Sequence, residues 1–191
     1  MTITNKRDKV VQTALELIAE HGFHAAPMSM VANRSGVAVG TIYRYFENKD
    51  VLINEIYREV EAKLYHVLLE GYATENPFRE RFLHLGTALL RYFIENPLDF
   101  RYLEQFHNSP YGVTFRRGKI LGKKEGGNVF RDLFEDGVSQ QIIKDLPLLI
   151  LFALAFGPLL DVARDHILGF ITLDDLLITR TIEACWDGIR R

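Results

Sequence analysis

One segment, MSMVANRSGVAVGTIYRYFENK at residues 28–49, carries the strongest structural signal in this chain. It predicts two short helices with Gly36 between them, and a pair of helices that cross closely requires particular residue types at three positions. The crossing needs a small side chain, the turn needs a residue that tolerates positive φ, and the second helix needs a branched residue as an anchor. Ala32, Gly36 and Ile42 meet these demands in order. The segment therefore predicts a helix-turn-helix.

The second helix of the motif, VGTIYRYF, brings small, hydroxyl, aromatic and cationic residues together. Gly40 permits a close approach to a DNA backbone, and Arg44 can reach a guanine edge or a phosphate. The hydroxyl groups of Thr41 and Tyr43 can donate to phosphate oxygens. Lys49 lies in the first turn of the next helix, where its charge and the free amide groups both favour an anion. We therefore expect the second helix to enter the major groove of DNA.

The composition restricts the class of protein. With 191 residues, 48% of them hydrophobic, the chain can bury the core of one or two globular domains. Lys and Arg number 23 against 25 Asp and Glu, so any contact with DNA must come from a local patch. The single cysteine, Cys185, excludes an internal disulfide framework. The N-terminus lacks a signal-peptide pattern, and the longest uncharged apolar run, residues 146–160, is shorter than the ~20 residues that span a bilayer. We expect a cytoplasmic protein.

Helical periodicity dominates the chain, and no alternating run is long enough to predict a strand. We therefore predict an all-α protein of about nine helices. Glycines, prolines and capping residues set their approximate bounds: 6–20, 28–35, 39–46, 49–71, 77–95, 97–106, a helix that begins before residue 130 and ends near 137 or 144, 146–168 and 174–190. The segment from residue 107 to 127 is rich in glycine and proline, and we expect it to be irregular.

The N-terminal quarter of the chain resembles the TetR family of bacterial transcriptional repressors. The resemblance rests on ALELIAEHGFHAA at residues 14–26 and VANRSGVAVGTIYRYFENKDVL at residues 31–52. Members of that family are all-α homodimers with an N-terminal three-helix domain that binds operator DNA and a variable C-terminal domain that binds a small-molecule inducer. The resemblance implies a DNA-binding domain over residues 1–48 and a ligand-binding and dimerisation domain over residues 49–191. It also implies a regulator of transcription that is not an enzyme.

The family pattern also implies individual DNA contacts. Carried over position by position, it implies base or groove contacts from Ser29, Val39, Gly40 and Arg44, and phosphate contacts from Thr41, Tyr43, Tyr45 and Lys49. Two positions depart from it. Ala26 and Pro27 stand where many members have a Ser or Thr that opens the second helix, which removes one hydroxyl group. Val39 replaces a polar residue, so direct readout would depend on Arg44 and on contact with a thymine methyl group.

Motifs for enzyme or metal chemistry are weak. The run GKILGKKEGG at residues 118–127 lacks the order of a phosphate-binding loop, and no two histidines have the i, i+4 spacing of a helical metal site. Glu104 and His107 have the i, i+3 spacing of a carboxylate-bridged metal site, but a second such pair is missing. We expect no metal and no cofactor. A helical enzyme that modifies small molecules and keeps a vestigial DNA module remains the alternative from another class.

Aromatic residues crowd the region between the predicted fifth and eighth helices, which indicates an elongated apolar pocket with few polar groups. Such walls favour a lipophilic or aromatic inducer over a sugar or a phosphate. The glycine- and proline-rich segment beside them would be the entrance, and Glu104 or His107 would supply a polar end. We expect the lining to come from Leu89, Phe93, Phe106, His107, Tyr111, Phe130, Phe134 and Phe156.

The last two predicted helices are too apolar for single-faced surface helices, and we expect that their apolar residues cannot all point into one small core. Both this argument and the family resemblance predict that they pair across a two-fold axis as a four-helix interface. The predicted interface residues are Leu151, Leu159, Val162, Ile178, Ile182, Cys185 and Ile189. Inducer would then shift the population away from the form whose recognition helices match successive major grooves. An activator, or a regulator that works through a protein partner, remains open.

Overall fold

The computed structural model describes residues 5–121 and 128–191, and in that part of the chain every regular element is an α-helix. One isolated β-bridge joins Ile143 to Arg190. The expected all-α fold is confirmed. The helices are α1 (Lys6–Ala25), α2 (Met28–Ser35), α3 (Val39–Tyr45), α4 (Lys49–Leu69), α5 (Phe78–Glu95), α6 (Pro97–His107), α7 (Pro110–Leu121), α8 (Val129–Ser139), α9 (Leu148–Ala155), α10 (Gly157–Ile167) and α11 (Asp175–Ile189). No helix in these two ranges has both the length and the apolarity needed to cross a membrane.

Part of the segment that we expected to be irregular is helical. α7 begins at Pro110, and a proline is tolerated there because the first turn of a helix needs no amide donor. Gly112 allows α7 to lie against the end of α6, since a Cβ at this position would stand 2.2 Å from the carbonyl oxygen of Phe106. The glycine therefore serves close packing and does not end a helix. The expectation was wrong for residues 110–121, and residues 122–127 lie outside the described part of the chain.

The apolar run expected to form one helix over residues 146–168 forms two. α9 ends at Ala155, and α10 begins at Gly157 with Pro158 in its first turn. Proline has no amide with which to continue the hydrogen bonds of the preceding helix, and its ring clashes with the turn before it. The chain therefore breaks at Phe156, which raises the number of helices above the predicted nine.

The N-terminal unit consists of α1, α2, α3, the first part of α4 up to Lys63, α6 and α7. α1 packs against α2, α3 and α6, and it continues beyond its predicted end through a kink at Gly22, where φ is +84°. Gly36 ends α2 in the left-handed conformation that the turn requires, and Ile42 of α3 is fully buried. The motif thus has the predicted geometry. The predicted functional division between residues 48 and 49 stays a prediction.

The C-terminal unit consists of the end of α4 from Leu64, α5, and α8 to α11. α5 lies against α8, α10 and α11. It lies close to α11 at Gly86, where a Cβ would stand 2.8 Å from Cγ2 of Ile182. Arg81 of α5 and Asp136 of α8 form an ion pair, and the Arg81 side chain is almost fully buried. Both contacts fix the register of α5 within this unit.

Candidate nucleic-acid interface

One face of α3 is open to solvent while the opposite face is buried. Val39, Tyr43 and Tyr45 expose 39%, 48% and 44% of their surface, whereas Ile42 and Phe46 are buried. Residues three or four positions apart share a helix face, so Val39 and Tyr43 lie on the same exposed face, while Tyr45 is exposed at the C-terminal end of α3. A Cβ placed on Gly40 would meet no atom within 4 Å. This face therefore has room for a bulky partner.

Arg44 on this face differs from two other arginines of the unit, Arg34 and Arg7, which are paired. Arg34 pairs with Glu20 at 2.8 Å, and Arg7 pairs with Glu55 at 2.6 Å. Arg44 is exposed and has no hydrogen bond or ion pair with any residue in the described part of the chain. Its five N–H donors are thus available for a guanine edge or a phosphate.

Lys49 is half-buried, and its ammonium group donates a hydrogen bond to the carbonyl oxygen of Phe23. Burial lowers the pKa of Lys49, and the neighbouring carboxylate of Asp50 opposes that shift. An ammonium group has three donors, so one bond to Phe23 leaves two for a phosphate. Asn48 caps α4 by accepting from the amide of Val51 at 2.9 Å. The start of α4 is therefore an ordered platform for Lys49.

The remaining predicted contacts lie around the same motif. Ser29 is exposed in the first turn of α2, and Thr41 is half-buried in the first turn of α3. Pro27 occupies the N-cap position before α2 and makes no side-chain cap, as the missing hydroxyl group there predicts. A cation that the sequence analysis did not single out is Lys9, which is exposed and has its ammonium 3.8 Å from the Cβ position of Gly36. Its place one helix before the motif gave no local signal.

The residues predicted to line a ligand pocket fall into two aromatic clusters, one in each unit. In the N-terminal unit, Phe106 stacks on Tyr57 with ring centroids 4.1 Å apart and on Tyr111 at 6.4 Å. The ring of His107 meets Phe106 edge-on at 5.9 Å. These rings pack on one another, and Phe106 is fully buried.

In the C-terminal unit, Phe156 lies at the centre of the second cluster. Its ring centroid is 4.8 Å from that of Phe130 and 5.7 Å from that of Phe134. Leu89 and Phe93 of α5 are also buried in this unit. Phe130 is half-buried, whereas the other four residues fill the core, and their role as a ligand site stays a prediction.

A surface cavity of about 270 Å³ lies elsewhere, between α1 and α4 of the N-terminal unit. Its floor is apolar and its rim is polar. None of the residues predicted to bind ligand takes part in it, and the lining consists of Asp8, Val11, Gln12, Leu15, Ile56, Glu59, Val60 and Lys63.

The structure corrects the argument for the predicted dimer interface. Six of the seven predicted interface residues are buried within one chain and only Val162 is half-buried: Leu151, Leu159, Ile178, Ile182, Cys185 and Ile189 form the buried group. They do fit into one core, because α9, α10 and α11 pack against each other and α5 supplies a further wall. The large apolar side chains that remain exposed in this unit are others, chiefly Leu149, Ile150, Leu154, Leu168, Phe170, Ile171, Leu176 and Leu177.

Two protein-family models match this chain, one over each of its two parts. The family model of bacterial regulatory proteins of the tetR family matches residues 10–56. The model described as a tetracyclin repressor-like C-terminal domain matches residues 77–190, which is more than half of the chain.

Individual relatives cover nearly the whole chain. A solved structure from Vibrio parahaemolyticus, described as a transcriptional regulator of the TetR family, is 30% identical, covers 98% of this chain and 99% of that one, and has a TM-score of 0.79. A protein of Haemophilus influenzae, described as an uncharacterized HTH-type transcriptional regulator, is 25% identical over 98% of this chain and 97% of its own length. The crystal structure of the regulator FadR from Bacillus subtilis in complex with stearoyl-CoA shares the fold, with a TM-score of 0.73, 20% identity, and coverage of 95% of this chain and 98% of that one.

The helix-turn-helix geometry, the two family models and the full-length relatives agree. The family consists of transcriptional regulators and not of enzymes, which confirms that expectation and removes the enzyme alternative. The chain belongs to the TetR family of bacterial transcriptional regulators.

Proposed function

We propose that the protein is a ligand-responsive cytoplasmic repressor that binds a palindromic operator as a homodimer and releases it when a small lipophilic or aromatic inducer binds. The observation that carries the proposal is the open face of α3, where Arg44 is exposed and unpaired within the described chain while Ile42 anchors the opposite side. A helix presented in this way fits the major groove.

On this face we assign Arg44 to a guanine edge and Val39 to a thymine methyl group. The hydroxyl groups of Thr41, Tyr43 and Tyr45 and the ammonium of Lys49 would bind phosphates around α3, and Ser29 of α2 would contact a base or the groove. Gly40 would lie nearest to the DNA because nothing projects from it. Phosphate contacts fix the position of the domain, and the contacts to base edges supply the preference for sequence.

The homodimer is proposed from the surface of the C-terminal unit. Phe170 exposes 76% of its surface, and Leu168, Ile171, Leu176 and Leu177 are exposed near it in sequence, at the end of α10 and the start of α11. Apolar surface of this kind is costly in water and is characteristic of interfaces. A second copy of the chain is the partner that fits. When the same patch pairs across a two-fold axis, the α3 helices of the two copies are also related by that axis, as a palindromic site requires.

The lipophilic inducer is proposed from the aromatic clusters and from one relative. The FadR structure holds stearoyl-CoA, a ligand with a long apolar chain. Clusters built from phenylalanine and tyrosine rings suit a ligand of that character, because they present few donors and acceptors. The inducer would bind preferentially to the form of the dimer in which the two α3 helices no longer match successive major grooves, which are roughly 34 Å apart.

A salt titration tests the DNA-binding part of the proposal. DNA retained by the protein from a random-sequence pool is titrated with wild type and with Arg44→Ala at increasing salt. A regulator loses affinity steeply as salt rises, because bound phosphates release counterions. Arg58→Ala is the matched control, since Arg58 is an exposed arginine on α4 paired with Glu55 at 3.2 Å. Salt-independent binding, or equal losses in Arg44→Ala and Arg58→Ala, would contradict the assignment.

A second titration tests the response to ligand. Stearoyl-CoA and small aromatic compounds are added to the complex with that same DNA while its fluorescence anisotropy is followed. Release at micromolar concentrations of a lipophilic compound is the expected result. Release by sugar phosphates alone would exclude a lipophilic inducer.

A further inference from the structure

Two opposite charges stand side by side in the first turn of α4, and each is engaged by a different partner of the N-terminal unit. The ammonium of Lys49 donates to the carbonyl oxygen of Phe23 in α1. The carboxylate of Asp50 accepts from the hydroxyl group of Tyr111 in α7 at 2.6 Å. The two neighbours are therefore held by partners on different helices and do not pair with each other.

Tyr111 is fixed in place by the turn between α6 and α7. The hydroxyl group of Ser109 donates to the carbonyl oxygen of Phe106 at 2.6 Å, and the absence of a side chain at Gly112 lets α7 start directly against that turn. The Tyr111 ring packs against Phe106 and lies 5.5 Å from the ring of Phe23. α7 thus contacts Asp50 directly and also the residue that holds Lys49.

The hydrogen bond to Asp50, aided by burial, raises the pKa of Tyr111 to about 12, so the hydroxyl group keeps its proton over the whole physiological range. Without this bond the Asp50 carboxylate would be free to approach the ammonium of its neighbour. A carboxylate paired with Lys49 would cancel the charge that a DNA phosphate requires.

We propose that Tyr111 is a positioning residue for DNA binding: it holds the Asp50 carboxylate away from Lys49, so that the Lys49 ammonium stays available to a phosphate. The inference rests on the proposed function, since it gives α7 a part in the binding of the operator. It also means that any ligand that displaces α7 changes the availability of the Lys49 ammonium to DNA without contacting α3.

A set of conservative variants tests this inference. Tyr111→Phe removes the hydroxyl group and keeps the ring. It should weaken binding to DNA selected from a random-sequence pool by about three- to tenfold, and it should reduce the number of counterions released on binding by up to about one. Tyr57→Phe is the matched control, because it removes a tyrosine hydroxyl that donates to a carboxylate at 3.0 Å, but within α4. Tyr57→Phe should leave DNA binding within about twofold, because the lost hydroxyl bonds Glu61 and not Asp50.

The double variant separates positioning from simple loss of structure. Asp50→Asn removes the competing charge, so adding Tyr111→Phe to it should cost almost nothing in DNA affinity. If Tyr111→Phe weakens binding equally with Asp50 and with Asn at position 50, or if it does not weaken binding at all, the proposal is wrong.

A measurement without DNA distinguishes failure of the positioning role of Tyr111 from failure of the proposed function. The pKa of Lys49, followed by NMR at its side-chain carbon, should rise in Tyr111→Phe because the freed carboxylate stabilises the ammonium, and should not rise when Asp50→Asn is also present. An unchanged pKa in Tyr111→Phe overturns the positioning role. Absence of salt-dependent DNA binding in wild type overturns the proposed function instead.

Discussion

Arg44 and Lys49 are cations of the same motif in different surroundings, and the difference leads to distinct expectations for each. Arg44 is exposed on α3, whereas Lys49 is half-buried and bonded to Phe23. Arg44→Ala should weaken binding to selected DNA by about 1–3 kcal/mol and relax the base preference, because a bidentate contact to guanine is lost. Lys49→Ala should weaken binding to all sequences alike and lower the salt slope by about one. Competition titrations against scrambled DNA measure both effects.

Tyr43→Phe is the control for this pair, since it removes one hydroxyl contact and keeps the exposed ring. It should cost less than Arg44→Ala. Equal affinity of wild type and Arg44→Ala for the selected DNA would remove the assignment of Arg44 to a base.

At the residue scale, the sequence predicted what depends on short spacing. The small residue, the glycine and the branched anchor of the motif lie within eleven positions of one another, so their joint role is visible in the chain. The bond from Lys49 to Phe23 spans 26 positions and that from Tyr111 to Asp50 spans 61. These bonds depend on how α1, α4 and α7 meet, and nothing in the local pattern determines that.

Helices α5 and α11 pack closely against each other at Gly86. Gly86→Ala places a Cβ 2.8 Å from Cγ2 of Ile182, and the buried Ile182 has little space to move. We expect the variant to lose about 1–3 kcal/mol of unfolding free energy, as overpacked cores do. Urea denaturation followed by circular dichroism measures the loss.

Gly188 provides the matched control on α11, because a Cβ there would meet no atom within 4 Å. Gly188→Ala should be neutral or gain up to about 1 kcal/mol from reduced freedom of the unfolded chain. If both variants change stability by the same amount, the close approach of α5 and α11 is not what Gly86 provides.

The ion pair between Arg81 of α5 and Asp136 of α8 makes a contribution to the free energy of unfolding that depends on pH. The hydrogen bond from Arg81, supported by one from Gln140, holds the pKa of Asp136 below its usual value. A carboxylate whose pKa is lowered by folding stabilises the protein above its unfolded pKa, about 3.9, and that contribution is lost as pH falls through the folded value. Asp136→Asn should therefore cost about 1–2 kcal/mol at pH 7, since the buried Arg81 loses its counter-charge.

The difference between this variant and wild type should be smaller at pH 3 than at pH 7, because part of the carboxylate's contribution is lost as the pH approaches the lowered pKa of Asp136. Denaturation curves at both pH values test this, and Asp145→Asn on the exposed connection before α9 is the control. A difference between wild type and Asp136→Asn that does not shrink in acid would contradict the ion-pair account.

Element by element, the sequence predicted helices well and their interruptions poorly. The predicted ends of α2, α5 and α6 lie at glycine, proline and asparagine signals that act locally. Gly112 and Pro158 carry the same residue types but act through packing in one case and through a break between two apolar helices in the other. Which role a glycine or proline takes depends on the neighbouring helix, and the sequence alone does not name that neighbour.

For the whole molecule, the exposed apolar surface of the C-terminal unit leads to a test of assembly. Leu177→Arg places a charge on an exposed position of α11, so the chain should keep its fold while the proposed dimer dissociates. Sedimentation velocity should show a monomer with unchanged helical content. Ile182→Arg, in contrast, places a charge at a buried position and should unfold or aggregate the chain.

Val51→Arg is the control for Leu177→Arg, because Val51 is a similarly exposed apolar residue in the N-terminal unit. It should leave the dimer intact. A wild-type protein that sediments as a monomer at micromolar concentration would exclude the homodimer.

The central claim is that two copies of the open face of α3 read DNA together, and selection from a random-sequence DNA library tests it most directly. Wild-type protein is incubated with the library, bound DNA is recovered over several rounds, and the enriched sequences are read. We expect an inverted repeat with half-site centres about 10 base pairs, or a multiple of that, apart. Each half-site should contain a guanine whose enrichment disappears in Arg44→Ala. Recovery of no enriched sequence, or of an unrepeated site that Arg44→Ala selects equally well, would contradict the claim.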